Sequence, residues 1–71
     1  MNMKGFLLVF WSKKEGRVKM RRAFAETPLD LLHRVSNKEI FLDRGDTVIG
    51  VNLVDADWNI TRKMNLEEVA V

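Results

Sequence analysis

The stretch Gly5-Phe6-Leu7-Leu8-Val9-Phe10-Trp11 contains the longest apolar run of the chain, the six residues 6–11. Six residues are too few for an ordinary helix, and the aromatic and β-branched side chains favour a strand. Because apolar residues fall on both faces, the run predicts a central strand covered on both sides. A helix can cover one side, and the other side then needs a partner subunit or a folded-over sheet.

A hairpin is predicted to connect this strand to a second one over residues 17–25. The loop Lys13-Lys14-Glu15-Gly16 fits a type I turn of the G1-bulge kind, with Gly16 in the left-handed conformation that glycine adopts without steric cost. The second strand alternates, so its apolar side chains are predicted to lie on one face and its basic side chains on the outward face. The apolar set is Val18, Met20 and Phe24, and the basic set is Arg17, Lys19 and Arg21.

A short helix is predicted over residues 28–35. Thr27 can cap its free amides, the following proline suits the first helical position, and Asp30 occupies the third, where a capping-box acid belongs. Asp30 and Arg34 have the spacing of an i,i+4 ion pair. Asn37 is predicted to end the helix in the left-handed conformation. The apolar arc that would pack on the sheet consists of Leu29, Leu31, Leu32 and Val35.

Three further strands are predicted, at Glu39–Leu42, at Thr47–Val54 and from about Trp58 to Met64. Gly50 inside the middle one indicates a bulge or a close backbone contact. After the last strand, Asn65 is predicted to cap a short closing turn. The inward residues of the middle strand would be Ile49, Val51 and Leu53.

The chain is therefore predicted to be one α+β domain, residues 1–71, in the order β-β-α-β-β-β. The sheet would be small and mostly antiparallel, with one short helix packed on one face. A partly closed small β-barrel and a β-grasp-like fold are the alternatives. The order β-β-α-β-β resembles that of the β-grasp fold of ubiquitin-like proteins, but the chain ends Glu68-Val69-Ala70-Val71, without the diglycine of a conjugated modifier.

Charge is divided unevenly along the chain. Residues 1–25 carry seven basic and one acidic side chain, a net +6, whereas residues 26–71 carry five basic and nine acidic ones, a net −4. Such asymmetry suggests a polyanionic partner for the first part. It equally permits the basic first part of one subunit to contact the acidic second part of another. It is also compatible with an ordinary solvated strand face.

Chemical motifs are weak in this sequence, so no catalytic, cofactor-binding or metal-binding residue is assigned and an enzyme is not expected. Cysteine is absent and His33 is the only histidine. The segment beginning at Asp55 matches the first ligand positions of a calcium loop, but Ile60 and Leu66 stand where glycine and glutamate are required. The apolar run is far shorter than the roughly 20 residues of a membrane span. A soluble, cytoplasmic protein is expected.

Two binding hypotheses follow. The first is a small protein-interaction or regulatory module that associates as a homodimer and can also bind another protein. It draws on the tryptophan and arginine residues, because both types are favoured interface anchors. The second is nucleic-acid binding, with the basic face of the 5–25 hairpin held on phosphates. The interface residues of the first hypothesis are Phe6, Leu8, Phe10 and Trp11. The phosphate-contacting residues of the second are Lys13, Lys14, Arg17, Lys19 and Arg21.

Overall fold

The computed structural model describes residues 2–70 and contains a four-stranded sheet with two short helices on one side. The elements are β1 (Lys4–Ser12), β2 (Arg17–Ala25), α1 (Pro28–Ser36), β3 (Thr47–Val54), β4 (Ile60–Asn65) and α2 (Leu66–Ala70). The strand order is β2-β1-β3-β4, and all three pairings are antiparallel. The predicted α+β class and the central position of β1 are confirmed. Because β2 and β4 do not pair with each other, the sheet is open and the barrel alternative is wrong.

Helix α1 forms as its sequence predicts. The Thr27 hydroxyl accepts a hydrogen bond from the Asp30 amide at 3.0 Å. The Asp30 carboxylate accepts from the Glu26 amide and from Arg34 Nε, each at 2.9 Å, so the i,i+4 pair is present. Leu31 is fully buried against the sheet. These contacts fix the start of the helix and the face that it turns to the core.

The strand predicted at residues 39–42 does not form. Lys38, rather than Asn37, takes the left-handed conformation after α1, with φ of 64°. The amides of Glu39 and Ile40 then donate to the Arg34 carbonyl at the helix end. Since these donors are satisfied by the helix, they are not available to a neighbouring strand. The segment runs as a loop in which Ile40 and Leu42 pack against the core and Phe41 is exposed.

Helix α2 begins where a closing turn was predicted. The Asn65 side chain accepts from the Glu68 amide at 2.9 Å, as an N-cap does. Its buried residue, Val69, joins the core. The core lies between the helices and one face of the sheet and comprises Phe6, Leu8, Ala23, Ala25, Leu31, Val51 and Val69.

The two faces of β2 are the reverse of the prediction. Ala23 and Ala25 turn toward the helices and are buried, so the larger apolar residues of β2 lie on the opposite face. Helix α1 packs against β2, and the small alanines leave room for it. The predicted inward orientation of Val18, Met20 and Phe24 is therefore wrong, because each is about half exposed.

Strand β3 contains the bulge that Gly50 suggested. Val9 pairs with Gly50 but the next residue, Phe10, pairs with Val48, which leaves Ile49 as the extra residue. A Cβ on Gly50 would lie 2.5 Å from the Met64 carbonyl oxygen, so β4 approaches too closely for any side chain. The bulge directs Val48 to the core and leaves Ile49 exposed, contrary to its predicted inward position.

Candidate interaction surfaces

Within residues 2–70 no helix covers the face of the sheet opposite α1 and α2, and we call it the open face. By strand register it includes Leu7, Val9, Trp11, Val18, Met20, Phe24, Asn52 and Val54, with Arg22 and Lys63. Trp11 is 43% exposed, Val18 and Met20 are each 51% exposed, and Phe24 is 55% exposed. A run of large apolar side chains on one face is unusual for a solvated sheet, where alternation normally places polar residues outside.

Trp58 covers one corner of the open face. Its ring lies over Gly5, where a Cβ would come within 2.8 Å of it. Phe24 meets the ring edge-on at 5.6 Å, and the Arg22 guanidinium stacks 4.6 Å from its centroid. Trp58 has a φ of 65°, which is rare for a bulky residue.

The backbone conformation of Trp58 is held by the Asp55 side chain. One carboxylate oxygen accepts from the amides of Asp57 and Asn59 at 2.9 and 3.0 Å, and these hydrogen bonds lower the pKa of Asp55. This is a turn function for Asp55, as the failed calcium motif implied. Away from the corner that Trp58 covers, the open face contains the cross-strand pairs Val9–Met20 and Trp11–Val18, which we call the hairpin patch.

The four residues predicted as a protein interface lie on different faces. Phe6, Leu8 and Phe10 are buried in the protein's own core, at 3%, 0% and 7% exposure. Only Trp11 is accessible to a partner. The alternation of β1 places even-numbered residues under the helices and odd-numbered residues on the open face. The accessible apolar residues that sequence reasoning assigned to the core instead are Val18 and Met20.

The basic residues of the hairpin lie on the helix side of β2 and at the hairpin tip. Gly16 has the predicted positive φ, 64°. The loop places Glu15 beside Arg17, Lys19 and Arg21, which we call the basic row. The Glu15 carboxylate pairs with Lys19 and with Arg17, at 3.0 Å to Arg17 Nη2. These hydrogen bonds, that from Lys19 first, lower the pKa of Glu15. Two of the three cations of the basic row thus have a carboxylate partner.

A groove of about 410 Å³ separates the basic row from the loop that follows α1. Arg21 donates to the Phe41 carbonyl across it, and the Phe41 side chain is 66% exposed beside it. The charged groups that line the groove are the cations Lys14, Lys19 and Arg21 and the carboxylates Glu15, Asp43 and Asp46. Because opposite charges are present in equal numbers, the lining of the groove carries no net positive charge. Nucleic-acid contact stays a prediction, which this balance disfavours.

Groups for other chemistry are not assembled in the described chain. His33 is exposed on α1, and no three His, Asp or Glu side chains among residues 2–70 are placed to hold a metal ion. None of the helices in the same range is long and apolar enough to cross a membrane. No protein-family model, curated protein or solved structure matches the chain. The function is therefore inferred from the open face and the basic row themselves.

Proposed function

We propose that this protein is a small, non-enzymatic interaction module that associates with a second copy of itself through the open face of its sheet. The observation that carries the proposal is the central strand β1, which is apolar on both faces but has only one face covered by the helices. The hairpin patch contains Trp11, which is 43% exposed, and tryptophan is among the most frequent interface anchors.

The small size of the chain is a second reason to expect association. A domain of 71 residues has a marginal core of its own, and association is a common remedy.

The distribution of charge on the open face is that of an interface with an apolar centre and a polar rim. Its charged strand residues are Arg22 and Lys63. Arg22 is held at the corner by Trp58, and Lys63 is on the edge strand β4. A two-fold axis through the hairpin patch would pair identical apolar surfaces, as an isologous dimer requires.

The experiment compares the parent chain with the double variant Val18→Lys/Met20→Lys by analytical ultracentrifugation at micromolar concentration. Both residues are half exposed in one copy, so the substitutions should leave its fold intact. A dimer would contain each new ammonium twice in an apolar contact, and we expect its Kd to rise by at least about 100-fold.

The control is Phe41→Lys, which adds one ammonium group, against two in the double variant, at an exposed apolar residue away from the open face. We expect the measured molecular mass of the parent and of the control to be about twice 8.3 kDa, and that of the double variant to be 8.3 kDa. A parent that sediments at 8.3 kDa throughout, or a double variant that keeps the dimer mass, would overturn the proposal.

A further inference from the structure

The outer edge of β2 is a second surface with the features of a binding site. β2 is nine residues long, and within residues 2–70 it pairs only with β1. Its register runs from Lys4 opposite Ala25 to Ser12 opposite Arg17 without a bulge. Alternate backbone N–H and C=O groups of such an edge point away from the sheet and can accept a further strand.

The side chains along this edge differ in character between its two sides. The helix side carries Arg17, Lys19 and Arg21. On the open-face side Val18 and Met20 are followed by Arg22, which stacks on Trp58. Pairing with β2 of a second copy would bring like charges together across the new ladder, which is destabilising. A strand with acidic residues at every second position would instead meet each cation with an opposite charge.

We infer that the edge of β2 binds an extended protein segment in which Asp or Glu alternates with apolar residues, adding a fifth strand to the sheet. Main-chain hydrogen bonds would supply part of the affinity, and the alternating side chains would supply the specificity. The acidic side chains would face the cations, and the apolar ones would extend the open face. The inference uses the edge and does not depend on self-association.

Glu15 acts in this scheme as a competing carboxylate within the chain. It occupies Arg17 and Lys19, so an incoming acidic side chain must displace it. Arg21 donates instead to a neutral carbonyl, that of Phe41, and no carboxylate in residues 2–70 lies within ion-pair distance of it. Arg21 is therefore the cation that a ligand would meet first, and removal of the Glu15 charge should strengthen binding.

A peptide strand fits these features better than a nucleic acid does. A polyphosphate would approach Glu15, Asp43 and Asp46 as well as the cations of the groove. A strand added to the outer edge uses the free backbone groups of β2, which a nucleic acid has no reason to occupy. It also gives a role to the apolar side of β2.

The test titrates the full chain into a fluorescently labelled peptide as long as β2, nine residues of alternating glutamate and valine, at low salt and follows anisotropy. We expect binding that weakens with salt, and no binding of the same peptide with lysine in place of glutamate. Lys19→Glu/Arg21→Glu should weaken binding by about tenfold or more, and Glu15→Gln should strengthen it by about threefold. The control Lys63→Glu, on the other edge strand, should bind as the parent does.

Hydrogen exchange separates strand addition from general attraction between charges. We expect the peptide to slow exchange at alternate amides of β2, because the added strand pairs with them. Absence of peptide binding, equal binding of the lysine peptide, or binding without protection of β2 would overturn the inference. Displacement of the peptide by a single-stranded oligonucleotide that binds more tightly would also overturn it and assign the basic row to nucleic acid.

Discussion

The substitution Gly50→Ala tests the bulge in β3, which determines which side chains of that strand face the core. The added Cβ would lie 2.5 Å from the Met64 carbonyl oxygen, whereas a close C···O contact is about 3.3 Å. The neighbour is backbone and cannot rotate away, so β3 and β4 must separate by about 0.8 Å. Overpacking of this kind costs about 1–3 kcal/mol, and we expect about 3 because ladder pairing suffers as well. The usual benefit of alanine over glycine in a strand, about 0.5–1 kcal/mol, is smaller.

Gly16→Ala is the matched control for this variant. Gly16 has a φ of 64° and open space around its Cβ position, so only backbone strain of about 1–2 kcal/mol is expected. Urea unfolding followed by circular dichroism measures the loss of stability in both variants. Every variant is measured at the same protein concentration, because self-association makes stability depend on concentration. If the free energy of unfolding falls by about 1 kcal/mol per molar urea, Gly50→Ala should lower the urea midpoint of unfolding by about 3 M relative to the parent chain. A Gly50→Ala midpoint equal to or above that of Gly16→Ala would refute the close approach of β4.

Two further predictions concern the core and the helix start. Leu8 is fully buried, so Leu8→Ala should lower the free energy of unfolding by about 2–5 kcal/mol in urea titrations; a change below about 1 kcal/mol would place Leu8 outside the core. The Glu26 amide and then Arg34 hold the pKa of Asp30 below its ordinary value, so the folded state binds fewer protons there. This contribution to stability is present above the ordinary aspartate pKa, about 3.9, and is lost as the pH falls through the lower folded value. Asp30→Asn should therefore lower the urea midpoint at neutral pH and have little effect in strong acid; a pH-independent difference would contradict this.

The local elements were predictable because their signals lie within a few residues. The hairpin follows from Gly16 between two strand-like segments, and α1 follows from Thr27, the following proline and Asp30. The bulge at Gly50 was predictable as one of two alternatives, and both are present. For the hairpin and α1 the residues that decide the conformation are neighbours in sequence, so tertiary packing confirms the local preference.

Which face of each strand the helices cover was not predictable in the same way. Alternation in β2 separates two sets of side chains but does not say which set the helix covers. The structure places Ala23 and Ala25 under α1, which leaves Val18 and Met20 outside. Two small residues just before the helix start are the signal that indicates this arrangement. The interface residues assigned to β1 were misplaced for the same reason.

The neighbours of the basic row depend on contacts between distant parts of the chain. Arg21 meets the Phe41 carbonyl, and the Lys13 amide donates to Asp46 at 3.1 Å. Both contacts follow from the path of the loop after α1, which sequence patterns assigned partly to a strand. The hairpin alone has a strongly basic face, whereas the folded chain surrounds that face with carboxylates. Charge counted along a sequence therefore overstated the field at this surface.

The most direct test of self-association through the open face is an isotope-filtered NMR experiment on a mixture of labelled and unlabelled chains. Methyl-labelled methionine reports on both sides of the sheet, because Met20 lies on the open face and Met64 packs against the core. We expect intermolecular NOEs from the Met20 methyl to the tryptophan and valine protons of the unlabelled copy, and none from Met64. Absence of intermolecular NOEs at Met20 under conditions where the chain is dimeric would contradict the account.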